Sequence, residues 1–178
     1  NDTFETYLTN KELREILARA SHDFLGGKKF DLVCMDACHM SMIEIASELK
    51  NVTSIMVGSE EVEPGSGYNY ERIFKGYDAA TYTSASFAKH IVDSYKTTYG
   101  NTHKEFTQSA IALGRVDEFE GYWNVVTATL TELLGGAAKK PIMSALRGAR
   151  FGTGYVTIFG DTDYIDLGHL MHSLEELF

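Results

Sequence analysis

The sequence predicts an α/β fold, and the stretch Phe30–Glu63 carries most of that prediction. An apolar run, Phe30-Asp31-Leu32-Val33-Cys34-Met35, leads into Asp36-Ala37-Cys38-His39-Met40. Helical periodicity follows, with Met42, Ile45, Ala46 and Leu49 at i, i+3, i+4 and i+7. A second apolar run, Ser54-Ile55-Met56-Val57-Gly58, ends in the acidic group Ser59-Glu60-Glu61-Val62-Glu63. Strand, helix and strand within roughly 30 residues is the crossover unit from which parallel sheets are built. Ligands of such sheets gather at the carboxyl ends of the strands. Cys38 stands at one such end and the acidic group at the next, which makes Cys38 the candidate reactive group.

The flanking elements fit the same class. Thr9-Asn10-Lys11-Glu12 reads as a capping box, with Thr9 as N-cap and Glu12 reaching back. Leu13, Ile16, Leu17 and Ala20 give the helix behind it one apolar face, and Gly26-Gly27 ends it. Pro64-Gly65-Ser66-Gly67 is a loop by its composition. Tyr68–Tyr77 has room for a short helix, and Ser84 is a cap for a helix bearing Phe87, Ile91 and Tyr95. Phe106–Leu113 reads as a strand. Val116, Phe119, Trp123, Val126 and Leu130 mark a long amphipathic helix that ends at Gly135-Gly136. Pro141–Arg147 is a further helix with Pro141 in its first turn. Thr153–Phe159 is open between strand and irregular structure. Asp166 caps a last helix bearing Leu167, Leu170, Met171 and Leu174.

No repeat, low-complexity tract or linker interrupts the 178 residues, so the expectation is part of one domain. The Phe30–Met35 strand is apolar on both faces and wants neighbours on either side. Strands from outside this sequence are therefore expected to complete the sheet. A formal net charge of −9 argues against a nucleic-acid footprint, which would be basic and clustered. No apolar run approaches the ~20 residues that span a bilayer. The two cysteines, Cys34 and Cys38, would lie ~13 Å apart along a strand, beyond bridging distance. With no second pair nearby they make a poor zinc site. Cys34 reads as core.

Asp36-Ala37-Cys38-x-Met40-Ser41-Met42 resembles the nucleophile motif of the clostripain family of cysteine peptidases. The resemblance continues through Ile45-Ala46-x-Glu48-Leu49 and Gly58-Ser59-Glu60-Glu61-x-Glu63-Pro64-Gly65-x-Gly67. It extends to Leu8-Thr9-x-x-Glu12-Leu13 and to Gly160-Asp161-x-Asp163-Tyr164-x-Asp166-Leu167. The family shares the caspase-like (caspase-haemoglobinase) fold of gingipains, legumains and separases. The resemblance thus implies a three-layer sandwich with a mostly parallel sheet, incomplete in this chain alone. It also implies a secreted or cell-envelope protein of bacterial origin.

The implied activity is that of an endopeptidase with a Cys-His dyad. Cys38 would attack the scissile carbonyl to form an acyl-enzyme, and its own N–H would help build the oxyanion hole. The family's histidine belongs to an upstream His-Gly pair, and this sequence contains none. Of its six histidines, only His22 precedes the nucleophile strand, and His39 follows Cys38 directly. The base is therefore assigned to a segment outside the sequence, as in family members cleaved into two chains that stay associated. This would be the cysteine-bearing chain, with peptides or proteins as substrates and a second chain carrying the histidine.

The resemblance further places Asp36, Ser59, Glu60, Glu63 and Ser66 around the S1 pocket, whose acid favours Arg or Lys at P1. Ser66 stands where the family often has Asp, so Glu63 or Asp36 would supply the charge. The implied chemistry needs no cofactor. Asp161-x-Asp163-x-x-Asp166 is dense enough in hard oxygen ligands to hold calcium, although Asp166 is equally a helix cap. A different class of function is a catalytically inactive family member that serves as a peptide-binding subunit. A redox role is weaker, because C-x3-C on a strand lacks the geometry of thiol exchange.

Overall fold

The structure, a computed structural model, describes residues 7–103, 105–151 and 156–175. The chain divides into two compact units, one up to Val116 and one from Asp117.

The first unit opens with α1 (Asn10–Leu25), and its capping box forms as expected. The Thr9 hydroxyl accepts the Glu12 N–H at 3.2 Å, and the Glu12 carboxylate accepts the Thr9 N–H at 2.9 Å. Gly26 ends the helix with φ 61, a left-handed conformation that suits a residue without Cβ. Leu13 and Leu17 pack on the core, whereas Ile16 is 55% exposed. The contacting stripe of α1 is narrower than its apolar spacing suggests, and Ile16 falls on its flank.

Next come β1 (Phe30–Cys34), α2 (Ile43–Leu49), β2 (Thr53–Gly58), α3 (Tyr70–Phe74), α4 (Ser84–Tyr99) and β3 (Ser109–Ala112). A single 3-10 turn, Leu113–Arg115, follows. The crossover unit is present, since β1 and β2 are parallel with Phe30 opposite Thr53 and Cys34 opposite Val57. β3 runs antiparallel to β2, with Ile55 opposite Ala112 and Gly58 opposite Ser109. The sheet is therefore mixed and not mostly parallel. Its order is β1-β2-β3, so the centre is β2 and the Phe30 strand lies at an edge. Because β1 is an edge strand, Cys34 is exposed and not core.

Alternation along the strands feeds two cores. On one face Met56 packs with Ile45, Ala46, Leu49, Leu113 and Val116. On the other, Val57 packs with Ala88, Ile91, Tyr95 and Tyr99, joined by Leu32 and Ile55. Helices thus cover both faces of a small sheet. Leu49, Met56 and Val57 are fully buried, and each contributes about 1.5–3 kcal/mol of apolar burial. α4 is capped by Thr83, one residue before the expected Ser84. Its hydroxyl accepts the Ser86 N–H at 3.1 Å, and the Ser86 hydroxyl accepts the Thr83 N–H at 2.9 Å. β3 is shorter than the predicted Phe106–Leu113 strand. Phe106 packs into the aromatic core, and Thr107 holds a neighbouring loop.

The second unit contains most of α5 (Val116–Gly135), then α6 (Lys139–Phe151), β4 (Ile158–Phe159), β5 (Asp161–Ile165) and α7 (Leu167–Glu175). α6 starts before and ends after the predicted Pro141–Arg147 and keeps Pro141 in its first turn. β4 and β5 pair antiparallel around Gly160, whose φ is 62. The Asp166 carboxylate accepts the His169 N–H at 2.5 Å, which is the predicted cap of α7. Of the Thr153–Phe159 segment, Ile158 and Phe159 form β4, while residues 152–155 lie outside the described residues. Among the described residues no helix is long and apolar enough to cross a membrane.

Candidate active site

The site is assembled at the carboxyl ends of β1 and β2 by two loops. The Met35–Met42 loop leaves β1, and its backbone docks on the end of β2. There the Met35 N–H donates to the Val57 carbonyl at 2.9 Å and the Ser41 N–H to the Ser59 carbonyl at 3.0 Å. Gly58 permits this approach, because a Cβ there would stand 3.1 Å from the Met40 carbonyl carbon. His39 adopts φ 57, a left-handed conformation uncommon outside glycine. The His39 ring is anchored, with Nδ1–H donating to the Glu60 carbonyl at 2.9 Å. A carbonyl can only accept, so this bond fixes the proton on Nδ1.

Cys38, next to that strained residue, is exposed. Its Sγ accepts the backbone N–H of Glu63 at 3.2 Å, across 25 residues of sequence. The nucleophile candidate and the acidic group therefore meet directly.

The second loop, Ser59–Glu63, is held from inside. Ser59 is 1% exposed, and its hydroxyl donates to the Glu61 carbonyl at 2.9 Å. Its part is to shape the loop. Thr107, which the sequence did not single out, accepts the N–H groups of Glu60 and Glu61 at 2.9 and 3.0 Å. A polar residue just before a short strand gave no signal of this. Glu60 is half-buried, and Ser66 is exposed in the turn closed by the Gly67 N–H on the Pro64 carbonyl at 2.8 Å.

Two carboxyl groups lie side by side here in different states. Asp36 accepts the Tyr68 N–H at 3.1 Å and the Tyr70 hydroxyl at 2.7 Å. Desolvation raises its pKa, but these bonds and one from Glu63 outweigh that and hold the carboxyl below the usual range. Gly67, with φ 61, lies against it so closely that a Cβ would stand 2.6 Å from Oδ2. Glu63 is 8% exposed, and neither carboxyl oxygen has a hydrogen-bond donor from a described N–H or O–H. Burial first, then the Asp36 carboxylate, pushes Glu63 up to about 8, so at neutral pH it keeps its proton and shares it with Asp36.

Aromatic residues close the site from behind. The buried Tyr68 donates its hydroxyl to the Met35 carbonyl at 3.0 Å and accepts from Gln108. Its ring meets Tyr95 edge-on at 5.6 Å. Tyr99 donates to the Gly67 carbonyl. Cys34, though exposed at the sheet edge, has its thiol crowded by Tyr68, Glu63 and Asp36. Desolvation chiefly pushes that thiol up to about 11, despite its contact with the Tyr68 hydroxyl.

Five of the histidine rings bond to groups other than Cys38. His22 pairs with Asp23, His39 with the Glu60 carbonyl, His90 with the Ile73 carbonyl, His103 with Thr102 and His169 with Thr157. A groove of about 780 Å³ beside Phe30, Leu32, Tyr77 and Phe87 lies at the opposite end of β1 and includes none of the site residues. Among the described residues no group of three or more His, Cys, Asp or Glu side chains is placed to hold a metal ion. The side chain of Asp161, one of the acids considered for calcium, lies outside the described residues.

The model of the clostripain family matches residues 1–178, the whole sequence. The chain belongs to the clostripain family. Similar solved structures carry the same family's label. A secreted C11 cysteine protease from Bacteroides thetaiotaomicron, in complex with an irreversible peptide inhibitor, is 20% identical with a TM-score of 0.59, covering 95% of this chain and 43% of its own. A clostripain from the same organism, in complex with a peptide inhibitor, is 19% identical with a TM-score of 0.55, covering 99% of this chain and 73% of its own. An inactive zymogen C11 protease from Parabacteroides distasonis is 15% identical with a TM-score of 0.51, covering 97% of this chain and 61% of its own. No curated protein matches. At these identities the similarity establishes the clostripain-like fold, and the chain spans less than half the length of the secreted C11 relative.

Proposed function

We propose that the chain is the cysteine-bearing part of an endopeptidase that works through an acyl-enzyme on Cys38. The observation that carries the reading is the exposed Cys38 sulfur, held by the Glu63 N–H at the carboxyl ends of two parallel strands. In the reaction the thiolate attacks the scissile carbonyl carbon, and the charge developing on its oxygen meets the Cys38 backbone N–H. The amine leaves with a proton from a histidine, and the acyl group remains on Sγ as a thioester. Water, deprotonated by the same histidine, then releases the peptide acid and restores the thiol.

The histidine comes from a segment before this sequence or from a separate associated chain. Its strand extends the sheet at β1, completing a caspase-like sandwich. The edge position of β1 supports this, as does the adjoining groove, where Tyr77 is 43% exposed. The substrate is a peptide with Arg or Lys at P1, received by the acid pair Asp36–Glu63. Like the secreted relative, the protein acts outside the cytoplasm of a bacterium.

The test is covalent labelling of the full-length protein with a peptidyl-arginine acyloxymethyl ketone, followed by peptide mapping. Modification confined to Cys38 and abolished by Cys38→Ala is expected. Indifference of Cys38 to the reagent would favour a catalytically inactive peptide-binding subunit.

A further inference from the structure

An acyl-enzyme mechanism needs the Cys38 sulfur held where a scissile carbonyl can reach it, and its Sγ is met by the backbone N–H of Glu63 at 3.2 Å. That N–H belongs to the Ser59–Glu63 loop, so the contact lasts only while the two loops are locked together. The peptide groups of Glu60 and Glu61 are gripped from both sides. Thr107 Oγ1 accepts their N–H groups at 2.9 and 3.0 Å. His39 takes their carbonyls, with its ring Nδ1–H on that of Glu60 at 2.9 Å and its backbone N–H on that of Glu61 at 3.4 Å. His39 follows Cys38 in the chain, and its φ of 57 is the one positive value outside glycine among the described residues. A left-handed backbone in a half-buried residue beside the reactive group is held there by its surroundings.

Resting on the acyl-enzyme reading, we propose that His39 is a positioning residue: its ring bond to the Glu60 carbonyl fixes the Cys38 sulfur against the Glu63 N–H, and it takes no part in proton transfer. The residue type follows from two demands at one position. A left-handed φ favours Gly, Asn, Asp and His. A bond to a carbonyl needs a donor, which Gly and an ionised Asp lack. His and Asn meet both demands, and each carries its donor nitrogen on Cγ. The ends of the nucleophile loop stay docked without His39, through the N–H groups of Met35 and Ser41. Losing the ring bond therefore loosens the middle of the loop, where Cys38 sits. A displacement of about 1 Å at a reacting atom can cost up to about a hundredfold in rate, so a small drift of the sulfur is enough to be read kinetically.

The experiment compares full-length wild type with His39→Gly and His39→Asn. Fluorogenic peptides with Arg, Lys, Ala or Asn at P1 supply the best substrate, and an acyloxymethyl ketone of the same sequence counts the reactive Cys38 sites by mass. His39→Gly keeps the left-handed backbone and removes the ring donor. Its kcat per labelled site is expected to fall about tenfold with KM within about twofold. His39→Asn restores a donor on Cγ and is expected within about threefold of the wild type. A His39→Gly enzyme as fast per site as the wild type, or a loss confined to the fraction of sites that label, overturns the proposal and leaves the acyl-enzyme reading standing. So does His39→Asn slowed as much as His39→Gly, and a loss of about a hundredfold or more in both would make His39 the base instead. A wild type that cleaves none of the peptides and does not label at Cys38 overturns both readings. Where neither variant folds, proton–nitrogen NMR of the histidine-labelled wild type decides. A proton on His39 Nδ1 supports the proposal, and a bare Nδ1 overturns it.

Discussion

Replacing Gly67 with alanine probes how tightly Asp36 is built into the site. Gly67 has φ 61, and for alanine this conformation costs about 1 kcal/mol. The added Cβ would also stand 2.6 and 2.7 Å from the two Asp36 oxygens. Asp36 cannot keep its place, so its bonds from the Tyr68 N–H and the Tyr70 hydroxyl are lost or lengthened. A hydrogen bond to a charged group contributes about 1.5–3 kcal/mol. Both residues of the Asp36–Tyr70 pair are exposed, so the lower figure applies to each bond, and the total with the backbone cost is about 4 kcal/mol. Gly26 supplies the control, because it too has φ 61 but would place its Cβ with nothing within 4 Å. Gly26→Ala should cost only about 1 kcal/mol. Urea denaturation of both variants, and of Gly67→Ala in an Asp36→Ala background, measures each term. In that background the cost of Gly67→Ala should fall to about 1 kcal/mol. Equal losses in Gly67→Ala and Gly26→Ala, or no coupling in the double variant, would refute the reasoning.

Three further outcomes follow from the same geometry. Cys34 should react with iodoacetamide about a hundredfold more slowly than an ordinary thiol, because burial pushes it from 9.0 to about 11; mass spectrometry of time points in a Cys38→Ser background measures this. Thr107→Val removes the acceptor of two loop N–H groups, Glu60 and Glu61, and should cost about 1–3 kcal/mol in urea denaturation while lowering kcat/KM. Glu63 keeps its proton to about pH 8 when folded but loses it near 4.5 when unfolded. Its stabilisation is thus full below the unfolded value and is lost as pH rises through the folded one. Thermal unfolding of the wild type against Glu63→Gln should show the wild-type advantage shrinking across that window, and a constant difference would contradict it.

Much of this was readable in the residues, for physical reasons that also explain what was not. The α1 capping box needs only Thr9 and Glu12 at their spacing, and the crossover unit needs only the change of period from Leu32 to Leu49. Cys38 follows from lying where a strand must end. Cys34 misled because a β-strand's own residues do not say whether another strand lies beside it. The direction of β3 was equally hidden, since four residues of strand carry no mark of parallel or antiparallel pairing. Glu63 and Asp36 were both named, but their unequal states depend on Tyr68, Tyr70 and Gly67, which arrive by way of another loop. Thr107 was invisible because its role is to satisfy backbone groups, which leave no trace in side-chain pattern.

The parallel register of Cys34 with Val57 also determines where this protein can change length. An inserted residue in the Lys50–Val52 turn, which joins α2 to β2, leaves that pairing intact and moves nothing near the sulfur. The same insertion between Gly58 and Glu63 displaces the carboxyl by about 3.3 Å relative to the nucleophile. The Glu63 N–H would then part from Cys38 and its oxygens from Asp36. Descendants of this gene should therefore differ freely in the first turn and hold the second to a constant count.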